Sequence, residues 1–220
     1  MGRLLNIITP LHLRTRRDYL ARMVDEKVHC MRTASEYGAE YWDGDRRYGY
    51  GGYRYDGRQR AIAEGLISAH HLKPDARILD VGCGKGYLLY ELTQLLPRAT
   101  VVGIDRSAYA LEHAKPEVRS QLVQHLAEKP LPFADDEFDL VISITTLHNL
   151  PIHHLGPALR EIQRVGRGGY VAVESYRNHQ ELFNLQCWAL TCQSFFSAEE
   201  WIWLFDHFGY QGDYEFIYFE

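Results

Sequence analysis

Three glycines at alternate positions, Gly82, Gly84 and Gly86, follow the apolar run Ile78-Leu79-Asp80-Val81, and the helix-forming stretch KGYLLYELTQLLP (85–97) begins among them. Glycine at such a junction lets the chain turn tightly and lets a ligand lie against the main chain with no Cβ in the way. The helix start adds free N–H groups and positive dipole. Asp105 ends the next apolar run, TVVGID, 19 residues past Gly86. An acid there is suited to accept hydrogen bonds from two ribose hydroxyls. Together they describe a nucleoside site at the carboxyl ends of adjacent strands. The dinucleotide fingerprint needs G-x-G-x-x-G, whereas this chain has G-x-G-x-G. Asp80, two residues before the first glycine, points toward the ligand, where an anion repels pyrophosphate and suits a cation.

Other residues could act on a second substrate. His148, in TLHNL after the strand pattern EFDLVISI, is a candidate general base at a strand carboxyl end; the alternative is a histidine that fixes its loop. Glu174 ends another apolar run, where it could hold an amine or hydroxyl or bond to Arg177 or the backbone. The segment AEYWDGDRRYGYGGYRYDGR (39–58) has five tyrosines, a tryptophan and five glycines. So many aromatics favour an ordered cap over a linker. Within it Arg47, Tyr50 and Tyr53 are candidate substrate contacts, with Arg46, Arg54 and Arg58 as further anion holders. The competing possibility is that Arg46 and Arg47 pair with Asp43 and Asp45 on the surface.

The elements that must position these groups alternate from about residue 76. Strand patterns at 76–82, 100–105, 121–126, 137–144 and 168–175 are separated by helix patterns at 85–97, 107–115 and 154–165. Continuous apolar strands in this rhythm imply an α/β, Rossmann-like, doubly wound and mostly parallel sheet. Residues 16–38 read as one helix with Tyr19, Met23, Val24, Val28 and Met31 on one side; 57–72, 181–195 and 197–210 read as further helices, and 213–220 as a closing strand. Trp188, Trp201 and Trp203 read as core. The expected division is an N-terminal helical, Tyr/Gly-rich cap over 1–60 and a nucleoside-binding domain over 61–220.

On these residues the chain resembles the class I S-adenosylmethionine-dependent methyltransferases over roughly residues 60–210. ILDVGCGKGY looks like their first motif, VVGIDRS like their second, and AEKPLPFADDEFDLVIS is similar to the stretch leading through the fourth strand. The resemblance implies S-adenosylmethionine as cofactor and S-adenosylhomocysteine as product, with Asp80, Gly82, Cys83, Gly84, Gly86, Asp105, Arg106, Ala127 and Glu128 around it. It implies methyl transfer to an N or O atom of a small molecule, for which the cap arginines suggest an anionic acceptor such as a nucleotide-linked sugar. A nicotinamide-dependent oxidoreductase and a non-catalytic S-adenosylmethionine-binding subunit are the alternatives. The family usually ends in a strand pair with one antiparallel member. Too few residues follow Gly209 for that, so a sheet edge open to a partner chain, and hence a homodimer, is a further expectation.

Composition narrows the setting. Among 220 residues 46% are hydrophobic and 24% charged, as in a globular protein. Net charge is −5, divided as +4 over residues 1–60 and −9 over the rest, which argues against general nucleic-acid binding and sets any anionic partner against the front end. No apolar run is long enough to span a membrane, and no signal peptide is evident. Cys30, Cys83, Cys187 and Cys192 form no disulfide framework. Cys187-x4-Cys192 lacks zinc spacing, and no metal site is expected. A cytoplasmic setting fits this usage.

Overall fold

The computed structural model describes residues 2–220. Five helices come first: α1 (Thr9–His12), α2 (Tyr19–Val24), α3 (Lys27–Ser35), α4 (Ala39–Asp43) and α5 (Gln59–His70). The alternating part follows as β1 (Arg77–Val81), α6 (Tyr87–Leu95), β2 (Thr100–Asp105), α7 (Ala108–Glu112), β3 (Leu122–Gln124), β4 (Leu140–Ile144), α8 (Ile152–Val165), β5 (Gly169–Glu174), α9 (His179–Trp188), α10 (Ala198–His207) and β6 (Asp213–Ile217). The strands form one sheet in the order β3-β2-β1-β4-β5-β6, and every neighbouring pair is parallel.

Successive strand residues enter opposite cores, as the two-residue period requires. Ile78, Tyr170 and Ala172 join Leu66 of α5 and Leu89 of α6. Leu79, Val171 and Val173 join Leu159 of α8 and Trp201 of α10. Local signals fix the helix starts: Ser107 caps α7 by accepting the Ala110 N–H, and Ser197 with Glu200 forms a reciprocal capping box on α10.

The single helix expected over 16–38 is two. Glu26 adopts a left-handed conformation, φ 40°. The break turns α3 so that Lys27 Nζ donates to the Cys187 and Ala189 carbonyls, at 2.6 Å each. The supposed apolar face is therefore split, leaving Val24 82% and Val28 63% exposed. Trp203, expected in the core, is also exposed, whereas Trp201 is fully buried. The helix expected to run to 195 stops at Trp188, because the N–H groups of Gln193 and Ser194 both bond to the His148 carbonyl.

The closing strand corrects the expected sheet edge. After α10 crosses over, β6 lies parallel to β5, with no antiparallel pair. The open side of β6 is covered by this chain's own N-terminus. Leu5 N–H donates to the Tyr214 carbonyl at 2.8 Å, and Tyr214 N–H to the Arg3 carbonyl at 3.0 Å. Two acids of β6 hold that segment. Asp213 accepts from the backbone and guanidinium of Arg3. Glu215, 1% exposed, accepts from the N–H groups of Ile7, Ile8 and Thr9 and the hydroxyls of Thr9 and Tyr170.

Candidate active site

The glycine turn is built from β1 and β2 together. Gly82 and Cys83 both donate to the Ile104 carbonyl at 2.8 and 3.0 Å. Gly84 N–H donates to Asp105 Oδ2 and Ser107 N–H to Asp105 Oδ1, each at 2.8 Å. Each Asp105 oxygen keeps a second lone pair for a ligand hydroxyl. Gly82 has φ 90°, and a Cβ there would run into the Thr146 side chain. Gly84 has φ 53°, and a Cβ there would meet the Trp42 ring at 2.9 Å. Part of the space these glycines leave is thus filled by protein. Two expected cofactor contacts turn inward: Gly86 faces Val118 and Leu122, and the Cys83 side chain packs in the core beside Gly103.

Asp80 is different in kind. It is buried, and among the described residues its carboxylate has no hydrogen-bond or ion-pair partner. Burial, with the Asp105 charge second, pushes its pKa up to about 7. A buried carboxylate without a donor is costly. The groups that would relieve it are the ammonium or sulfonium of S-adenosylmethionine, so this donor-free acid beside the Asp105 cradle fits that cofactor and not a pyrophosphate.

Two cavities meet here. The first, about 80 Å³, is walled by Gly82, Asp105, Arg106, Ala127 and Glu128 and roofed by Tyr37 and Trp42 of the cap. The roof is tied down: Trp42 Nε1 donates to Ser107 Oγ at 2.9 Å, and buried Lys85 holds Asp43 at 2.7 Å. The second, about 420 Å³, carries Arg17, Arg22, Arg46, His148, Glu174 and Trp188 on its walls. Tyr41, Tyr50, Thr145 and Asn149 line both.

His148 and Glu174 both line the second cavity, side by side. His148 is 3% exposed, and its Nδ1 accepts the Glu174 backbone N–H at 3.1 Å. The ring proton is thereby assigned to Nε2, which lies 3.5 Å from Glu174 Oε2. Burial pushes the imidazole pKa down to about 3. Neither nitrogen of this neutral ring is free to take a proton. The Glu174 carboxylate, by contrast, accepts no hydrogen bond among the described residues, and burial raises its pKa to about 7 despite the nearby Arg17 charge.

Two expected substrate contacts are also displaced. Arg47 lines neither cavity; it pairs with Asp25 and Glu26, each at 2.8 Å. Tyr53 stacks on Tyr87 with ring centroids 5.0 Å apart, and its carbonyl accepts from Lys85 Nζ and the Tyr87 hydroxyl. It braces the roof and lines neither cavity. Tyr50 stacks on Trp42 and does face both cavities. Arg17, Arg22 and Trp188 escaped the sequence reading, because nothing local distinguishes them from surface arginines and a core tryptophan.

The strand order is also that of dinucleotide-binding folds, so topology alone leaves two nucleosides open. Comparison with known proteins decides the class. Residues 72–212 match the model of a methyltransferase domain family, and the chain belongs to that family. More particularly, it is similar to the demethylmenaquinone methyltransferase of Roseiflexus castenholzii, 35% identical over 51% of this chain and 48% of that one. It is also similar to the trans-aconitate 2-methyltransferase of Deinococcus radiodurans, 34% identical over 58% and 48%. The chain spans about half the length of the curated relatives it matches. The structure of YcgJ from Bacillus subtilis shares the fold, with TM-score 0.51 and 21% identity over 66% of each chain. No helix among the described residues is long and apolar enough to cross a membrane.

Proposed function

We propose that this protein moves a methyl group from S-adenosylmethionine to a proton-bearing O or N atom of a small anionic molecule. The observation that carries this is a pair of acids that accept no hydrogen bond among the described residues: buried Asp80 beside the Asp105 cradle, and half-buried Glu174 in the adjoining cavity, with the His148 ring 3.5 Å away. The relatives' names do not choose the acceptor, since one is named for an acid and another for demethylmenaquinone. The arginine-lined wall favours the acid.

Bound S-adenosylmethionine supplies an electrophilic methyl on a sulfonium sulfur. Asp80 would balance its positive charge, and Asp105 would hold its ribose. Arg106, Ala127 and Glu128 would flank the nucleoside. Tyr41, Tyr50, Thr145 and Asn149 would form the passage through which the acceptor atom approaches, so that alignment and exclusion of water provide much of the rate. As the acceptor's O or N takes the methyl, its proton passes to the Glu174 carboxylate. His148 is a positioning residue: its Nδ1 fixes the Glu174 backbone and its Nε2–H faces the carboxylate. A cavity of 80 Å³ is small beside the roughly 300 Å³ of a typical ligand site, so the cap over Trp42 opens to admit the cofactor.

The test is release of S-adenosylhomocysteine, followed by mass spectrometry, across hydroxylated carboxylic acids, phosphate esters and neutral quinols. Turnover with an acid and none with a quinol supports the proposal. Turnover with the quinol alone contradicts it.

A further inference from the structure

We infer that Arg17, Arg22 and Arg46, gathered around Trp188, form a subsite for a phosphate or diphosphate group on the acceptor. The inference rests on the proposed methyltransferase site only in taking the second cavity as the acceptor's. The three guanidinium carbons lie 5.4, 5.0 and 5.1 Å from the Trp188 ring centroid, so one indole orders all three by cation–π attraction.

Among the described residues none of the three has a carboxylate within ion-pair distance. Arg22 donates to the Arg46 carbonyl, Arg46 to the Gly49 carbonyl, and Arg17 to the His12 and Thr15 carbonyls. These bonds fix the forks without neutralising them. Nε of Arg17 and of Arg22 is buried with no acceptor among the described residues; Nε of Arg47 is too, but Arg47 spends its charge on Asp25 and Glu26. Three neighbouring arginines are matched with acids: Arg47 with Asp25 and Glu26, Arg60 with Glu64 and Glu91, and Arg58, which also lines this cavity, with Asp56. Desolvation lowers the pKa of all three cavity arginines, and the Arg46 charge adds to the effect on Arg17 and Arg22. A cluster assembled against its own repulsion calls for a multiply charged anion.

A single carboxylate would offset one of the three cations. A phosphate ester brings nearly two charges and three strong acceptor oxygens, and guanidinium forks match them in pairs. The about 420 Å³ of the cavity also leaves room for an organic body reaching toward Glu174. The acceptor class is thus a phosphorylated or diphosphate-linked molecule carrying a hydroxyl or amine.

The test is calorimetric titration of the full chain with inorganic diphosphate, and with citrate as a rival, at fixed ionic strength. Arg22→Gln and Arg46→Gln should each weaken diphosphate roughly tenfold or more, the scale of a lost charge-assisted pair. Arg47→Gln, outside the cavity, should not. Melting curves establish folding, and Arg22→Lys, which keeps charge but loses the fork, stands in for a glutamine variant that fails to fold. No diphosphate binding, an equal loss in Arg47→Gln, or binding of citrate alone would overturn the subsite. S-adenosylmethionine is titrated in parallel. If it fails to bind while diphosphate binds as expected, the methyltransferase site falls and the anion subsite stands.

Discussion

Glu174 and Glu215 sit on adjacent parallel strands, the first half-buried and the second fully buried, and their surroundings are opposite. Glu215 is surrounded by donors from three consecutive backbone N–H groups and two hydroxyls. Glu174 has no donor closer than the His148 ring, 3.5 Å away. The first acid fastens the N-terminal residues and the start of α1 to the sheet. The second stands at the wall of a cavity with no hydrogen bond among the described residues and the His148 ring 3.5 Å away. Asp80 belongs with the second kind, and the unpaired arginines around Trp188 mirror it in positive charge. Burial of a charged group alone does not distinguish the two kinds; on the proposed reading, an acid left without a hydrogen bond at the site does.

That contrast can be broken by substitution. The largest structural effect is expected from Glu215→Ala, which strands the N–H groups of Ile7, Ile8 and Thr9 and the Tyr170 hydroxyl. A loss of about 3–5 kcal/mol in denaturant unfolding follows from the cost of orphaned buried donors. Glu174→Gln should change stability by less than about 1 kcal/mol near pH 4.5 and cut turnover by about 10²–10⁴-fold, the range of a lost general base. If Glu174→Gln unfolds the protein as Glu215→Ala does, the distinction is wrong.

The pH dependence sharpens it. In the folded protein burial raises the Glu174 pKa to about 7, above the 4.5 of an ordinary glutamate. The folded state therefore holds its proton more tightly than the unfolded chain does. Relative to wild type, Glu174→Gln should gain stability as pH rises from about 4.5, levelling off above about 7. Turnover in wild type should rise through about pH 7 as the carboxyl ionises. His148, with a pKa of about 3, adds no inflection in that window. His148→Gln should shift the midpoint of that profile, which a purely structural role would leave in place.

Smaller effects separate cap from site. Arg47→Ala should leave melting temperature and acceptor KM close to wild type, because its pairs with Asp25 and Glu26 lie at the surface, where such pairs add little. Hydrogen exchange over residues 41–58 should slow once cofactor and acceptor are both bound. Equal protection in the free protein would mean that the roof over Trp42 is fixed.

The sheet and the cofactor turn were legible because their signals are contiguous. Asp80, the three glycines and Asp105 lie on one strand–turn–helix–strand run, whose burial and backbone bonding follow from local pattern. The second cavity was not legible, since it joins Arg17 and Arg22 of the N-terminal segment to Trp188 near the other end of the chain. The break at Glu26 has no glycine or proline to announce it; it is held by the tertiary bonds of Lys27. The alternating acids of DYEFIYFE resemble a solvated face, yet Asp213 and Glu215 are buried because residues 3–9 return to meet them.

Asp80 tests the central claim most directly, since it needs no knowledge of the acceptor. S-adenosylmethionine would be titrated near pH 7 in two buffers of different ionisation enthalpy, into wild type and Asp80→Asn. With its pKa raised to about 7, Asp80 is partly protonated before binding. A cation bound beside it lowers that pKa, so binding should release protons and strengthen as pH rises through 7. Asp80→Asn should abolish the release and weaken binding by about 1.5–3 kcal/mol. Equal affinity and no proton release in either protein would contradict the claim that this unpaired acid is there for the cofactor's charge.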